Sequence, residues 1–305
     1  MKLIIQIPCY NEAGTLAIAL NALPREVEGF DKVEWLIIDD GSTDDTVNVA
    51  IECGVDHIVS FTKNQGLAKG FMAGIKKCLD EGADVIVNTD ADNQYEAEDI
   101  PKLTKPVLDK KADYVIGARP ISDIEHFSPA KKFLQKLGSW VVRKASNTDI
   151  PDAPSGFRAM SRACAKQLNV HSEYTYTLET IIQAGQKNMA ITSVPIRTNA
   201  DLRPSRLLRS IPNYIKKSII TIIRIFVVYK PFKFFMSIAA TLFGIGLLLG
   251  LRYLYLNVTG EGSGHVQSVI LSGVFIGIGF QTGLIAFIAD LLSVNRKLLE
   301  ELKSK

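Results

Sequence analysis

At three places in the N-terminal half of the chain acidic residues stand just after a short apolar run: Glu12, the pair Asp39-Asp40, and the tripeptide Asp90-Ala91-Asp92. Each run is of the kind that forms a buried strand, so all three are expected on one edge of a sheet. Carboxylates gathered on one edge either repel one another or share a cation. Ligation by oxygen alone favours Mg2+ or Mn2+. These ions usually complete their octahedron with substrate phosphates, so the pattern implies a phosphorylated ligand. A D-x-D tripeptide by itself is common, and its weight here comes from its place at a strand end. The four histidines and four cysteines are scattered, with no zinc-ligand spacing and no C-x-x-C pair. A reducing compartment is the default for such a chain.

Five runs supply the strands: Leu3–Ile7, Val33–Ile38, His57–Phe61, Asp84–Asn88 and Asp113–Gly117. Helical patterns lie between them. One runs through Val47, Val49 and Ile51, with Ser42 or Thr43 as its cap and Gly54 as its stop. Another runs from Gly66 to Leu79 and is closed by Gly82. Strand alternating with helix predicts a doubly wound, Rossmann-like α/β sheet, whose ligands sit outside the carboxyl ends of the strands. Further on, a helix is expected around Lys131–Lys144, a strand at Gly156–Met160, a helix at Tyr174–Gln186 and a strand at Ala190–Ile196.

The last third of the 305 residues reads differently. Phe232–Leu251 and Gln267–Val294 are long enough, as helices, to cross a bilayer. The connection from Asn257 to His265 carries no Lys or Arg. Lys216, Lys217, Arg224, Lys230 and Lys233 precede the first span, and Arg296, Lys297, Lys303 and Lys305 follow the second. Charge bias then puts both termini in the cytoplasm and the short loop outside. The N-terminal run shows no secretory signal, in keeping with that orientation. The alternative is a pair of buried core helices in a soluble protein. Leu207–Tyr229 mixes apolar residues with Arg and Lys, as does a basic amphipathic helix in a membrane interface. The net charge of +3 is too small, and too concentrated beside the apolar spans, to argue for nucleic acid.

Three ordered segments, Pro8-Cys9-Tyr10-Asn11-Glu12, Asp39-Asp40-Gly41-Ser42-Thr43-Asp44 and Asp90-Ala91-Asp92-Asn93-Gln94, resemble the signatures of inverting family 2 glycosyltransferases of GT-A fold. The D-x-D-x-Q form, the later Ser155-Gly156-Phe157-Arg158 and the C-terminal membrane hairpin are similar to those of the polyprenyl-phosphate glycosyltransferases, the group that includes dolichyl-phosphate mannose synthase. The resemblance covers essentially the whole chain. It implies that Pro8, Tyr10, Asn11 and Glu12 line the nucleotide pocket and that Asp39 faces the base or ribose. Asp90, with Ala91 beside it, would contact the donor ribose or the metal, Asp92 would be the principal metal ligand, and Gln94 would approach the same ion. Asn64, Gly66 and Lys69 resemble the turn beside the nucleotide, although Gly66 and Gly70 also suit helix entry and packing. Arg119 resembles the arginine that faces the acceptor, with Pro120 in place of the usual small polar residue. Arg203, Ser205 and Arg206 resemble the stretch that meets the lipid phosphate, and the two arginines also suit anchoring at a membrane surface.

The implied reaction joins a UDP- or GDP-linked sugar to a polyprenyl phosphate such as undecaprenyl or dolichyl phosphate. It would be Mg2+- or Mn2+-dependent, at the cytoplasmic face of the cell inner membrane. Asp92, Arg119 and Arg158 are the expected catalytic residues, and Glu179 would orient a sugar hydroxyl or pair with an arginine. The expected layout is a catalytic domain over 1–205, a basic juxtamembrane segment over 206–231, spans at 232–256 and 266–294 around an external loop at 257–265, and a basic tail over 295–305. A short hairpin of this kind also gains from association into a homo-oligomer. Rival readings are another acceptor, such as a polysaccharide or glycolipid, and a catalytically idle membrane scaffold. A processive synthase would carry a Q-x-x-R-W motif, but here Gln135 is followed by Lys136-Leu137-Gly138-Ser139-Trp140.

Overall fold

A computed structural model describes residues 1–120, 129–170, 176–200, 220, 223, 224, 226–260 and 265–304. In it the short apolar runs form one sheet. The strands are β1 (Lys2–Cys9), β2 (Lys32–Asp39), β3 (His57–Ser60), β4 (Val85–Asn88), β5 (Tyr114–Ala118), β6 (Arg158–Ser161) and β7 (Ile191–Pro195), in spatial order β3-β2-β1-β4-β6-β5-β7. Residues pointing to both faces of β1 and β2, such as Leu3, Ile4, Ile5, Leu36, Ile37 and Ile38, are completely buried. Strands covered by helices on both sides need such continuous apolar runs.

The sheet departs from an all-parallel one at β6, which runs antiparallel to both β4 and β5. Arg158 opens β6 opposite Asn88, at the carboxyl end of β4. The strand expected from Gly156 therefore starts two residues later. Residues 155–157 stay outside the ladder, on the edge where the acidic loops emerge.

The helices of this unit are α1 (Ala13–Ala22), α2 (Thr46–Glu52), α3 (Leu67–Asp80), α4 (Ile100–Leu108), α5 (Pro129–Ser146), α6 (Arg162–Gln167) and α7 (Thr177–Gln186). Ser42 and Thr43 do not cap α2. The Ser42 hydroxyl accepts the Asn11 N–H at 2.9 Å and Thr43 N–H donates to the Asn11 carboxamide at 2.8 Å, so both are tied to the loop after β1. Asp44 instead accepts the N–H of Thr46 at 3.1 Å. Gly54 and Gly82 follow α2 and α3 at φ +72 and +79, as helix stops require. On α3, Phe71 and Ile75 face the sheet as expected, but Leu67 is exposed, and the small residues Ala68, Gly74 and Cys78 complete the buried face. A Cβ on Gly74 would come within 2.7 Å of Ile38 Cδ1, so glycine lets the helix lie close on β2.

The chain divides into two compact units, Met1–Ile219 and Ile220–Lys305. The first contains the expected catalytic domain. Most of the juxtamembrane segment expected over 206–231, with Lys216 and Lys217, lies outside the described residues, as does 261–264 of the expected external loop. The second unit is a hairpin of α8 (Pro231–Val258) and α9 (Val266–Ser304). Both helices are long and apolar enough to cross a membrane. Only 11% and 17% of their most apolar windows are buried within the protein, which is unlike the core helices of a soluble fold. Small residues bring them together: a Cβ on Gly246 would lie 2.9 Å from Ile276 N, and one on Gly279 would lie 2.9 Å from Phe243 N. The Ser272 hydroxyl donates to the Gly246 carbonyl at 2.6 Å. Close backbone approach and such a bond are what hold helices together in lipid. The tail expected from residue 295 continues α9 as helix.

At the edge of the sheet away from the acidic loops, Glu34 of β2 is buried and meets Lys2 at 2.6 Å, Lys32 at 2.5 Å and His57 Nε2 at 2.7 Å. Burial alone would raise its pKa, but hydrogen bonds from Lys2, Lys32 and His57 hold it at about 2. A carboxyl depressed in this way stabilises the fold above its unfolded pKa, and the contribution is lost as pH falls toward about 2. Glu34→Gln should therefore lower stability by ~2 kcal/mol at neutral pH. Denaturant melts should show the gap from wild type shrinking steadily below about pH 4.5.

Candidate active site

The loop after β2 organises one side of the carboxyl edge. Asp39 is buried and accepts the Ser42 N–H at 2.9 Å. Asp40, also buried, accepts the Gln65 N–H at 2.7 Å and the Gly66 N–H at 2.9 Å. Gly41 between them sits at φ +73, and a Cβ there would lie 2.6 Å from the Lys63 carbonyl carbon and 2.8 Å from Asn64 N. Only glycine permits both the backbone turn and the close approach. Asp40 and the glycine thus fasten the 63–66 loop over β2 and set where α3 begins, while Asp39 closes its own turn.

The loop after β1 meets the same region. Asn11 takes a left-handed φ of 53, which asparagine tolerates. Glu12 donates its N–H to the Thr46 hydroxyl at 2.8 Å, and its carboxylate accepts from Thr15 at 3.0 Å. Tyr10, Asn64 and Lys69 are exposed, and Pro8 and Gly66 are half-buried. Fixed backbone below and exposed side chains above suit a pocket for a flat polar ligand.

Asp90, Ala91 and Asp92 follow β4, the strand paired with β1. Ala91 is buried, while Asp92 and Gln94 are half-buried. Asp92 accepts the Gln94 N–H at 3.2 Å, and the Gln94 carbonyl accepts the Asn199 N–H at 2.9 Å. The Asn199 side chain also donates to the Asn93 carbonyl at 3.0 Å. The segment after β7 therefore braces the acidic loop.

Asp90 is the most constrained of these groups. A Cβ on Gly156 would lie 3.0 Å from both of its carboxylate oxygens, so any side chain there would press on the carboxylate. The Tyr95 hydroxyl accepts the Gly156 N–H at 2.8 Å and hydrogen-bonds the Asp90 carboxylate. Burial, with Asp92 close by, pushes the Asp90 pKa up to about 7, against the opposing pull of Arg119, Tyr95 and Arg158. Among the described residues, no group of three or more His, Cys, Asp and Glu gathers where a metal ion would sit. Two crowded carboxylates supply hard oxygen donors whose repulsion a divalent ion relieves, and they leave positions for substrate phosphate. That donor set fits Mg2+ or Mn2+.

Several residues not singled out in the sequence hold this arrangement. Asn88 is fully buried; it accepts from Gln6 at 2.9 Å and donates to the Gly156 carbonyl at 2.9 Å and the Tyr176 hydroxyl at 2.8 Å. Tyr176 stacks on Phe71 with ring centroids 3.9 Å apart, and Tyr95 stacks on Phe157 at 5.1 Å. A polar residue ending an apolar run two positions before a D-x-D is a visible signal for Asn88. Nothing local marked Tyr95 or Tyr176, because their partners are distant in sequence.

The two arginines expected among the catalytic residues have different surroundings. Arg158 is completely buried. It donates to the carbonyls of Ser155 and Ala153 at 2.7 Å and of Thr177 at 2.8 Å, and to the hydroxyls of Tyr114 and Thr180 at 2.8 Å. It was expected among the catalytic residues; its guanidinium is enclosed by protein oxygens and positions the 153–155 segment. Arg119 is paired with Asp152, which no motif had flagged. Nε donates to Asp152 Oδ2 at 2.7 Å, Nη2 to Oδ1 at 3.0 Å and the backbone N–H to Oδ2 at 3.1 Å. Burial works against its charge, but Tyr95, Asp152 and Asp90 hold Arg119 firmly protonated. It therefore stands within electrostatic reach of the acidic loop. Glu179 is buried and accepts from Gln183 at 3.4 Å. Arg203, Ser205 and Arg206 lie outside the described residues.

The sheet order with a single reversed strand, and the acidic loop at its carboxyl edge, define a GT-A fold. A family model described as "Glycosyl transferase family 2" matches residues 4–168, more than half of the chain. The chain belongs to glycosyl transferase family 2. Similar to this family 2 chain is a UDP-N-acetylglucosamine–dolichyl-phosphate N-acetylglucosaminyltransferase of Methanococcus voltae, 28% identical over 63% of this chain and 83% of that protein. An undecaprenyl-phosphate mannosyltransferase of Micrococcus luteus is 27% identical over 64% and 83%. Among solved structures, glucosyl-3-phosphoglycerate synthase of Mycobacterium tuberculosis, in complex with Mn2+, UDP and glucosyl-3-phosphoglycerate, shares the fold with a TM-score of 0.56, at 19% identity, over 72% of this chain and 79% of that one. The protein is a glycosyltransferase.

Removing the Tyr95 hydroxyl strips the Gly156 N–H and Asp90 of a shared partner. Tyr95→Phe should cost about 1–2 kcal/mol of stability, read by chemical unfolding, because buried polar groups lose their bonds. Mn2+-dependent nucleotide binding, read by calorimetry, should weaken in the same variant.

Proposed function

We propose that this glycosyltransferase moves a hexose from a UDP- or GDP-linked donor to a polyprenyl phosphate, inverting the anomeric centre, at the cytoplasmic face of the cell inner membrane. The observation that carries this reading is a pair of neighbouring carboxylates, Asp90 and Asp92, at the carboxyl edge of a family 2 domain that continues into two helices fit to span a membrane. The named activities of two relatives differ in sugar and in lipid but have a polyprenyl phosphate in common. That shared element is the part of the reaction carried over to this chain.

Chemistry at the acceptor end supports it. A phosphate monoester is already ionised near neutral pH, its second pKa being about 6. Its oxygen can attack the anomeric carbon directly, forming the C–O bond as the bond to the nucleoside diphosphate breaks. No strong general base is needed, and no histidine stands among the residues assigned to the site. The harder tasks are to hold two anions together and to stabilise the departing diphosphate. Asp92, with Asp90 and Gln94 near it, would hold a Mg2+ or Mn2+ ion, which supplies Lewis-acid stabilisation to the leaving group. Tyr95 and Gly156 keep Asp90 in register with Asp92. Pro8, Tyr10, Asn11, Glu12, Asp39, Asn64, Gly66 and Lys69 would cradle the nucleotide on the β1–β2 side. Arg119 would face the acceptor phosphate, with Arg203, Ser205 and Arg206 nearer the lipid.

The membrane hairpin then has a reason. A polyprenyl phosphate stays in the bilayer, so the catalytic domain over residues 1–205 has to work at the headgroup level. Lys230 before α8 and Lys233 in its first turn, with Arg296 and Lys297 late in α9, favour cytoplasmic termini and an outward loop at 257–265.

The test is to incubate membranes containing the protein with polyprenyl phosphate and a panel of radiolabelled UDP- and GDP-sugars. One donor should label the lipid, and Asp92→Asn should reduce that rate by at least about a hundredfold. Labelling by no donor, or an Asp92→Asn enzyme as active as wild type, would sink the reading.

A further inference from the structure

The pairing of Arg119 with Asp152 has a directional consequence. A guanidinium presents five N–H groups in a rigid fork. Here the Nε–Nη2 edge is closed in bidentate fashion by one carboxylate, at 2.7 and 3.0 Å, and both side chains are almost fully buried. The same carboxylate takes the Arg119 backbone N–H, so the arginine is fixed at both ends of its side chain. The Nη1 side of the fork then points away from Asp152, and it is the side left to grip a second anion. Asp152 itself is held by its neighbours in sequence: the N–H of Ser155 donates to the Asp152 carbonyl, and the Ala153 N–H donates to the Ser139 hydroxyl of α5 at 3.2 Å. Arg158 grips the carbonyls of Ala153 and Ser155 from below. The segment that carries Asp152 ends at Gly156, against Asp90.

We infer that Asp152 is a positioning residue for the transfer: it orients Arg119 toward the acceptor phosphate and ties that orientation, through residues 152–156, to the placement of Asp90. The inference rests on the proposed phosphate acceptor. Asp152 also offsets the charge of Arg119, so the arginine recognises the incoming phosphate by the geometry of its free edge and not as a loose cation. Arg119 is the group that would touch the acceptor, and Asp152 acts through it.

The experiment is a double-mutant cycle on the full-length protein in membranes, with Arg119→Gln, Asp152→Asn and the combined variant. Asp152→Asn keeps an oxygen for the backbone N–H but loses the bidentate grip. It should lower kcat by about 10- to 100-fold, while the KM for the nucleotide-sugar changes less than about twofold. The combined variant should be no slower than Arg119→Gln alone, because Asp152 has nothing left to orient. Should Asp152→Asn fail to fold for want of a partner for the buried arginine, the neutral pair in the combined variant can still be compared with Arg119→Gln. Equal rates support the inference. Additive losses, or a parallel rise in donor KM, overturn it and leave Asp152 a purely structural residue. A wild-type protein that labels no polyprenyl phosphate overturns the acceptor itself, which is a separate result from additivity in an active enzyme.

Discussion

The structure of the site depends on a carboxylate held where burial and a second acid both oppose its charge. Asp90 is enclosed by Gly156, touched by the Tyr95 hydroxyl and set beside a second acid, and its pKa rises to about 7 as a result. Burial and like charge both act against ionisation, so the surroundings have to supply compensation. Arg119, Arg158 and Tyr95 supply part of it from the protein. On the proposed function, a divalent ion bound with a nucleotide would bring the remainder. Asn88, Tyr176 and Phe71 exist in this arrangement to keep the loop after β4 and the 153–156 segment at one spacing, since a shift of either would open the cradle. The glycine at 156 is required by that closeness.

Much of this was legible in the sequence, for identifiable reasons. Parallel strands buried on both faces need continuous apolar runs, so β1 to β5 could be read within a residue or two. The acidic loops were legible because each follows such a run directly. The two apolar helices were legible because length and charge bias are one-dimensional quantities. What escaped was everything decided by chain segments far apart. Ser42 and Thr43 resemble helix caps locally, but Asn11 engages both of them from the preceding loop. Arg158 has the look of an anion-binding arginine in its motif, and only the packing of Tyr114, Thr177 and Thr180 around it shows that its donors are already engaged. Asp152 lies between two prolines in a stretch with no periodic signal. Its importance appears only when β5 and the loop before β6 come side by side.

The second unit follows different rules. In the sheet domain large side chains fill space, whereas between α8 and α9 glycines and serine remove it, so that backbone meets backbone. Lipid provides no hydrophobic drive to bring two helices together, so contact area and the Ser272 bond have to provide it. The same residue type therefore does opposite work in the two units. Gly41 and Gly156 make room for polar contacts, and Gly246 and Gly279 make room for dispersion.

The reversal of β6 has a further consequence for how such an enzyme diversifies. It divides the sheet into a block of β3, β2, β1 and β4, from which the acidic loops emerge, and a block of β5 and β7, from which Arg119 and the bracing segment emerge. The antiparallel strand is the seam, and Asn88 opposite Arg158 is its stitch. Substitutions on one side can remodel what that block recognises without repacking the other, provided the seam keeps its register. On the proposed function, donor choice and acceptor choice would be separable traits, inherited on either side of a four-residue strand.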